Sequence, residues 1–289
     1  MPRDGVLAFA GFIGRLAFWV VRREREKTLT HLRSAFGEEK TEQEILKLGE
    51  GVFVHFAQVA VDVLRFPKLT REEVDRLVAD KDEGLRRINE ILSRGKGMIL
   101  LTGHLGNWEL MGALIRLHDI PGVVVGRRIY YERFNQLLVD LRSKVALRTI
   151  YQDASPKELL KVLSQNQILG ILADQDVDRF DGIFVPFFGR PAYTLTAPVK
   201  LALASGAPLV PVFLVRAGRH YRLLVEEPIY VEMGAHREET IQEYTRAWSQ
   251  VVEAKVREFP DQWVWMHRRW KTLERPVEMS ETTQTVLHD

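Results

Sequence analysis

The chain has 289 residues, enough for one large α/β domain with appended helices. A net charge of +2 argues against the basic nucleic-acid-binding class, and no nucleic-acid partner is expected. The absence of cysteine excludes disulfides, thiolate metal sites and a cysteine nucleophile.

Gly5 to Val21 is an apolar run interrupted by Arg15 and followed by Arg22, Arg23, Arg25 and Lys27. It sits at the lower limit for a membrane span. A buried core helix is one reading. The other is a short anchor or interfacial helix, with Arg15 snorkelling and Trp19 near the headgroups. The basic residues then lie on the cytoplasmic side. A signal peptide is not expected, because the basic cluster follows the run. Thr28 to Phe36 predicts a short helix ending at Gly37. Thr41 and Glu44 form a capping box. The helix they open runs to about Phe66, with Ile45, Leu48, Val52, Phe56, Val59 and Val63 on one stripe, and Pro67 ends it. His55 and Asp62 lie off or beside that stripe and read as ordinary solvated or hydrogen-bonded polar residues. Val74 to Ala79 reads as a short strand, and Asp82 to Arg94 as a helix closed by Gly95.

Met98 to Thr102 is an apolar run bounded by glycines, the pattern of a parallel strand covered on both faces. His104 stands where it stops, followed by Asn107 and Glu109 at the start of a helix reaching about Leu117. Gly122 to Gly126 is the next buried strand, with Arg127 and Arg128 at its carboxyl end. Tyr131 to about Lys144 and Pro156 to Gln165 predict helices. Ile168 to Ala173 is a third buried strand, ending at Asp174 and Gln175. A loop from Gly182 through Phe187, Phe188 and Gly189 to Thr194 leads to a helix over Thr196–Ser205. Leu209 to Val215 and Tyr221 to Val225 are further strands, the second antiparallel after a turn at Gly218. Glu238 to Phe259 is a long amphipathic helix. Strand and helix alternate, so the expected fold class is α/β, a mostly parallel central sheet flanked by helices.

Three consecutive strand ends thus present polar residues to one crevice, where ligands bind in open α/β sheets: His104 with Glu109, Arg127 with Arg128, and Asp174 with Gln175. An imidazole acts as a base near neutral pH, and a carboxylate fixes its tautomer. No Gly-x-Ser-x-Gly elbow, His-Glu-x-x-His pair, P-loop or dinucleotide fingerprint is present, and no residue cluster demands a metal.

The string Gly103-His-Leu-Gly-Asn-Trp-Glu109 resembles the first motif of the lipid A late acyltransferases, within the wider His-x4-Asp/Glu glycerolipid acyltransferases. The two strand ends that follow, the Gly182–Thr194 loop and Val210-Pro211-Val212 resemble the later blocks in order. The closing Gln262-Trp-Val-Trp-Met-His267-Arg268-Arg269-Trp270-Lys271 resembles the tail of the lipid A enzymes. The family usually has asparagine where this chain has His31. The resemblance implies residues 1–27 as membrane anchor or interfacial helix, 28–271 as acyltransferase domain and 272–289 as tail. It implies transfer of a fatty acyl chain from acyl-carrier protein to a hydroxyl of a lipid A precursor, without a cofactor, at the cytoplasmic face of the inner membrane. His104 is then the general base, oriented by Glu109 or by Asp174. The oxyanion falls to amides of the glycine-rich turn or to Arg127 and Arg128. Those arginines, with Asn107, Gln175 and Gly189, are the expected substrate-binding residues. Other acceptors within the same chemistry are a lysophospholipid or a phosphoinositide mannoside. A catalytically idle membrane scaffold and a soluble hydrolase are the alternatives of a different class.

Overall fold

The structure is a computed structural model that describes residues 3–126, 136, 140–142, 145 and 147–273. Eight strands are described: β1 Met98–Thr102, β2 Gly122–Gly126, β3 Arg148–Tyr151, β4 Ile168–Leu172, β5 Gly182–Phe187, β6 Arg190–Leu195, β7 Leu209–Ala217 and β8 His220–Val225. The main sheet has the order β3-β2-β4-β1-β7-β8, parallel throughout except for the β7–β8 pair. Helices before the sheet are α1 Arg3–Val20, α2 Arg22–Phe36, α3 Glu42–Leu64, α4 Arg71–Leu77 and α5 Lys81–Leu92. Within and after it come α6 Trp108–Leu117, α7 Pro156–Ser164, α8 Ala197–Ser205 and α9 Arg237–Glu258.

Alternation along β1 divides the core. Ile99 and Leu101 face one layer with α2, α3, α8 and α9, whereas Met98 and Leu100 face the other with α4, α5 and α6. Both faces are therefore covered, which explains why β1 and β4 read as continuous apolar runs. The expected α/β architecture is observed.

Three local expectations change. Val74 to Ala79 is not a strand, because Thr70 and Glu73 form a second capping box that opens α4. The Gly182–Thr194 segment is the β5–β6 hairpin and not a loop, with Phe188 and Gly189 both at positive φ in its tight turn. The edge strand β3 escapes periodicity because Arg-Thr-Ile-Tyr is short and of mixed polarity. The predicted Tyr131–Lys144 helix lies largely outside the described residues.

The first helix is apolar on both sides. Leu7, Ala10, Gly11, Gly14 and Phe18 are buried. At Gly14 an added Cβ would stand 2.7 Å from the Phe53 carbonyl oxygen and Val54 Cα, so glycine permits the close approach of α1 to α3. The opposite stripe, Phe9, Phe12, Leu16 and Trp19, is 51–64% exposed. Arg15 pairs with Glu50 of α3 at 3.1 Å. Among the described residues no single helix is long and apolar enough to cross a membrane, though α1 and α2, bent by 89°, pass that test as a pair.

Candidate active site

Register creates the central contact. β1 and β4 are adjacent and parallel, with Thr102 opposite Leu172. Two residues beyond each strand end, His104 therefore meets Asp174. Asp174 Oδ1 is 2.8 Å from His104 Nδ1, and Oδ2 accepts the His104 backbone N–H at 2.6 Å. Trp263 Nε1 donates to the same Oδ2 at 2.8 Å. Burial opposes ionisation of this carboxyl, which is 2% exposed, but the His104 charge and the three donors outweigh it. Its pKa is held down to about 2. An ionised Asp174 requires a proton on Nδ1, leaving Nε2 as the basic nitrogen.

Gln175 lies against this ring. Its Nε2 is 3.1 Å from both His104 nitrogens, a position over the ring and not in line with either lone pair. The same Nε2 is 2.9 Å from His267 Nε2. The Trp108 ring sits edge-on to His104 with centroids 4.9 Å apart.

Glu109 does not hold His104 here. Its carboxylate is engaged by Arg142, with Nε to Oε2 at 2.8 Å and a second contact from Nη2 to Oε1, and by Trp108 Nε1 at 3.1 Å. Of the two carboxylates left open by the sequence, Asp174 is the one on the imidazole. Helical geometry explains this: Glu109 is in the first turn of α6, beyond the sharp Gly106 bend.

Asn107 is fully buried and cannot be a substrate ligand in this structure. Its side-chain oxygen caps α6 through the Leu110 N–H at 2.9 Å. Gly189 occupies the β5–β6 turn and does not line the cleft. Arg127 and Arg128 lie outside the described residues. The amides of His104, Gly106 and Asn107 already donate to Asp174, the Gln262 carbonyl and the Leu214 carbonyl. They are therefore unavailable as oxyanion donors.

His104, Glu109, Arg142 and Gln175 line a cleft of about 620 Å³. It runs down the sheet between β1, β2 and β4 and α6, with Leu100, Val124, Leu172, Met111 and Ile115 as apolar wall. Thus a polar mouth opens onto an apolar trough, the form of a site for a mostly hydrocarbon ligand.

Several participants were not among the site residues expected from sequence. Trp263 and His267 belong to the aromatic and basic tail, whose resemblance to the lipid A enzymes was the available signal. The tail is fixed beside the turn by the Val264 N–H on the His104 carbonyl at 3.1 Å. Buried Arg269, 1% exposed, also donates to the Tyr193 carbonyl and the Thr194 hydroxyl. Arg142 carried no signal of its own.

The site is thus an Asp-held histidine at the mouth of an apolar trough, set at the carboxyl edge of a doubly covered α/β sheet. The bacterial lipid A biosynthesis acyltransferase model matches residues 1–272, and the chain belongs to that family. It is 28% identical over 270 residues to the lipid A biosynthesis lauroyltransferase of Escherichia coli, covering 90% of this chain and 83% of that one. A lipid A biosynthesis acyltransferase of Haemophilus influenzae is 29% identical over 205 residues, 68% of this chain and 62% of the relative. The phosphatidylinositol mannoside acyltransferase of Mycobacterium tuberculosis is 27% identical over 162 residues, 55% of this chain. That match spans about half (51%) of the mycobacterial protein.

Proposed function

We propose that this protein transfers a fatty acyl chain from an acyl-carrier-protein thioester to a hydroxyl of a lipid A precursor, with His104 as general base. The observation that carries the reading is the Asp174–His104 pair, which leaves Nε2 basic at the mouth of an apolar trough. Nε2 takes the acceptor hydroxyl proton as the oxygen attacks the thioester carbonyl. Asp174 stabilises the imidazolium that forms. Collapse of the tetrahedral intermediate breaks the carbon–sulfur bond, and the Nε2 proton passes to the leaving thiolate. No enzyme nucleophile is required, because the thioester is already activated.

Developing negative charge needs a cation or donor in the cleft. Among the described lining residues Arg142 is suited to this role, since Glu109 orients its guanidinium. Glu109 then acts through Arg142. The trough takes the acyl chain. The exposed stripe of α1, continued by Arg22 and Arg23, rests on an anionic membrane surface, where each basic residue contributes about 1 kcal/mol. Such docking places the protein at the cytoplasmic face of the inner membrane, next to an acceptor whose chains stay in the bilayer.

A second acceptor, a phosphatidylinositol mannoside, is favoured by the mycobacterial relative. Purified protein, acyl-acyl-carrier protein and each acceptor in turn, with products read by mass spectrometry, separate the two. Acylated lipid A precursor is the expected product. Acylation of the mannoside alone moves the reading to that acceptor, and thioester hydrolysis without transfer overturns it.

A further inference from the structure

Behind the His104 turn, away from the cleft, lies a chain of buried polar side chains that the reaction does not consume. Asp62 comes from α3, Tyr221 from β8 and Asn107 from the turn, and they are 4%, 1% and 0% exposed. The Tyr221 hydroxyl donates to Asp62 Oδ2 at 2.5 Å and accepts from Asn107 Nδ2 at 3.0 Å. Arg216 Nη2 reaches the same Asp62 oxygen at 2.9 Å, and Arg3 Nε reaches Oδ1 at 3.1 Å. Beside this chain His55 Nε2 is 3.0 Å from the Gly106 carbonyl oxygen.

Buried charges and hydroxyls carry a large desolvation cost unless each is paired. An apolar seam between α3 and β8 would pack without that cost. The polar groups instead converge on Gly106 and Asn107, the hinge between His104 and α6. Gly106 has φ +66°, and its bend presses on the Leu214 carbonyl of β7, leaving no room for a Cβ. Asn107 uses one side-chain atom for Tyr221 and the other to cap α6. Its position therefore sets two directions at once: that of His104 before it, and that of Glu109, with Arg142, after it.

We infer that Asp62, Tyr221 and Asn107 form a positioning relay that holds the His104 base and the Glu109–Arg142 pair in one catalytic geometry. The inference rests on the acyl-transfer reading above. Arg3, at the start of α1, completes the pairing of the Asp62 carboxylate.

The test uses the full-length protein with acyl-acyl-carrier protein and detergent-dispersed lipid A precursor. Tyr221→Phe removes only the shared hydroxyl. Asn107→Ser keeps an oxygen able to cap α6 but is too short to reach Tyr221. Each variant is assayed well below its own unfolding midpoint. Each single substitution is expected to lower kcat roughly tenfold, as small misplacements of reacting groups do, with KM for both substrates within about twofold. The double variant is expected to be no worse than the poorer single, because the Asn107–Tyr221 contact that Asn107→Ser breaks is already lost in Tyr221→Phe. Wild-type kcat in Tyr221→Phe, or losses that multiply in the double, overturns the relay. If Tyr221→Phe does not fold, Asn107→Ser alone decides, by a tenfold loss or by none. The wild-type arm keeps the two ideas apart. No transfer by wild type overturns the functional reading and the relay together, whereas transfer with unaffected variants overturns the relay alone.

Discussion

The two sides of the His104 turn are built from opposite materials. On the cleft side, His104, Glu109, Gln175 and Arg142 are partly open and arrive from segments that begin at strand ends or flank the trough. On the far side, His55, Asp62, Asn107 and Tyr221 are buried and paired. The contrast fits the proposed division of labour: the proposed reacting groups face the cleft, and the groups proposed to fix their geometry are kept from water behind them. The two carboxylates beside the turn repeat the contrast. Asp174 is sealed and serves one imidazole, whereas Glu109 stands at the cleft and serves a guanidinium.

The largest expected effect is on the cleft side. His104→Ala should reduce turnover by about 10²–10⁴-fold, the usual contribution of a positioned base, with an unchanged circular dichroism spectrum. Near-wild-type turnover would remove the general-base role. A smaller loss is expected from Arg142→Ala, which removes the cation proposed to stabilise the transition state. kcat and kcat/KM should fall together by about 10²-fold, by analogy with loss of one oxyanion donor. A rise in KM at constant kcat would assign Arg142 to ground-state binding instead.

The far side predicts a stability signature. Burial pulls the His55 imidazole down to about 4, with the Gly106 carbonyl opposing it. Between about pH 6.5 and pH 4 the unfolded chain binds a proton that the folded chain refuses. Stability contributed by neutral His55 is thus full above about pH 6.5 and is lost as pH falls, by at most about 1.4 kcal/mol per pH unit. Denaturant melts of wild type and His55→Gln across that range should show the slope in wild type and its reduction in the variant. Parallel pH profiles would remove His55 as the cause.

The smallest expected effect on chemistry lies at the first helix. Gly14→Val should force α1 off α3, through the close approach to the Phe53 carbonyl and Val54. We expect a lower melting temperature and weaker flotation with anionic vesicles, with transfer to detergent-dispersed acceptor less affected than transfer in membranes. Unchanged flotation would move the membrane contact elsewhere, the aromatic and basic tail first.

Legibility in the sequence follows the same division. Parallel strands covered on both faces leave continuous apolar runs, so β1, β2, β4 and β7 were visible, and with them the strand ends bearing His104, Asp174 and Gln175. Strand adjacency is not written in the local pattern. Only the β1–β4 register shows that Asp174, and not the nearer Glu109, meets the ring. His55 and Asp62 read as ordinary polar positions on an amphipathic helix, because their partners lie 51 and 159 residues away in sequence. Asn107 read as a substrate ligand for the same reason: a motif reports which residues recur together, not which way each faces. The β5–β6 hairpin is masked in the sequence by Pro186 and Pro191, which are unfavourable in a central strand but tolerated here because these two strands pair only with each other.

Asp174, and not Glu109, is the carboxylate placed to fix the His104 tautomer. The direct measurement is single-turnover acyl transfer by Asp174→Asn and Glu109→Gln, compared side by side with wild type. Asp174→Asn keeps the shape but removes the charge that holds the proton on Nδ1, and a loss approaching that of His104→Ala is expected. Glu109→Gln leaves the His104–Asp174 contact intact and should lose at least tenfold less. Equal losses, or a deeper loss in Glu109→Gln, would contradict the account.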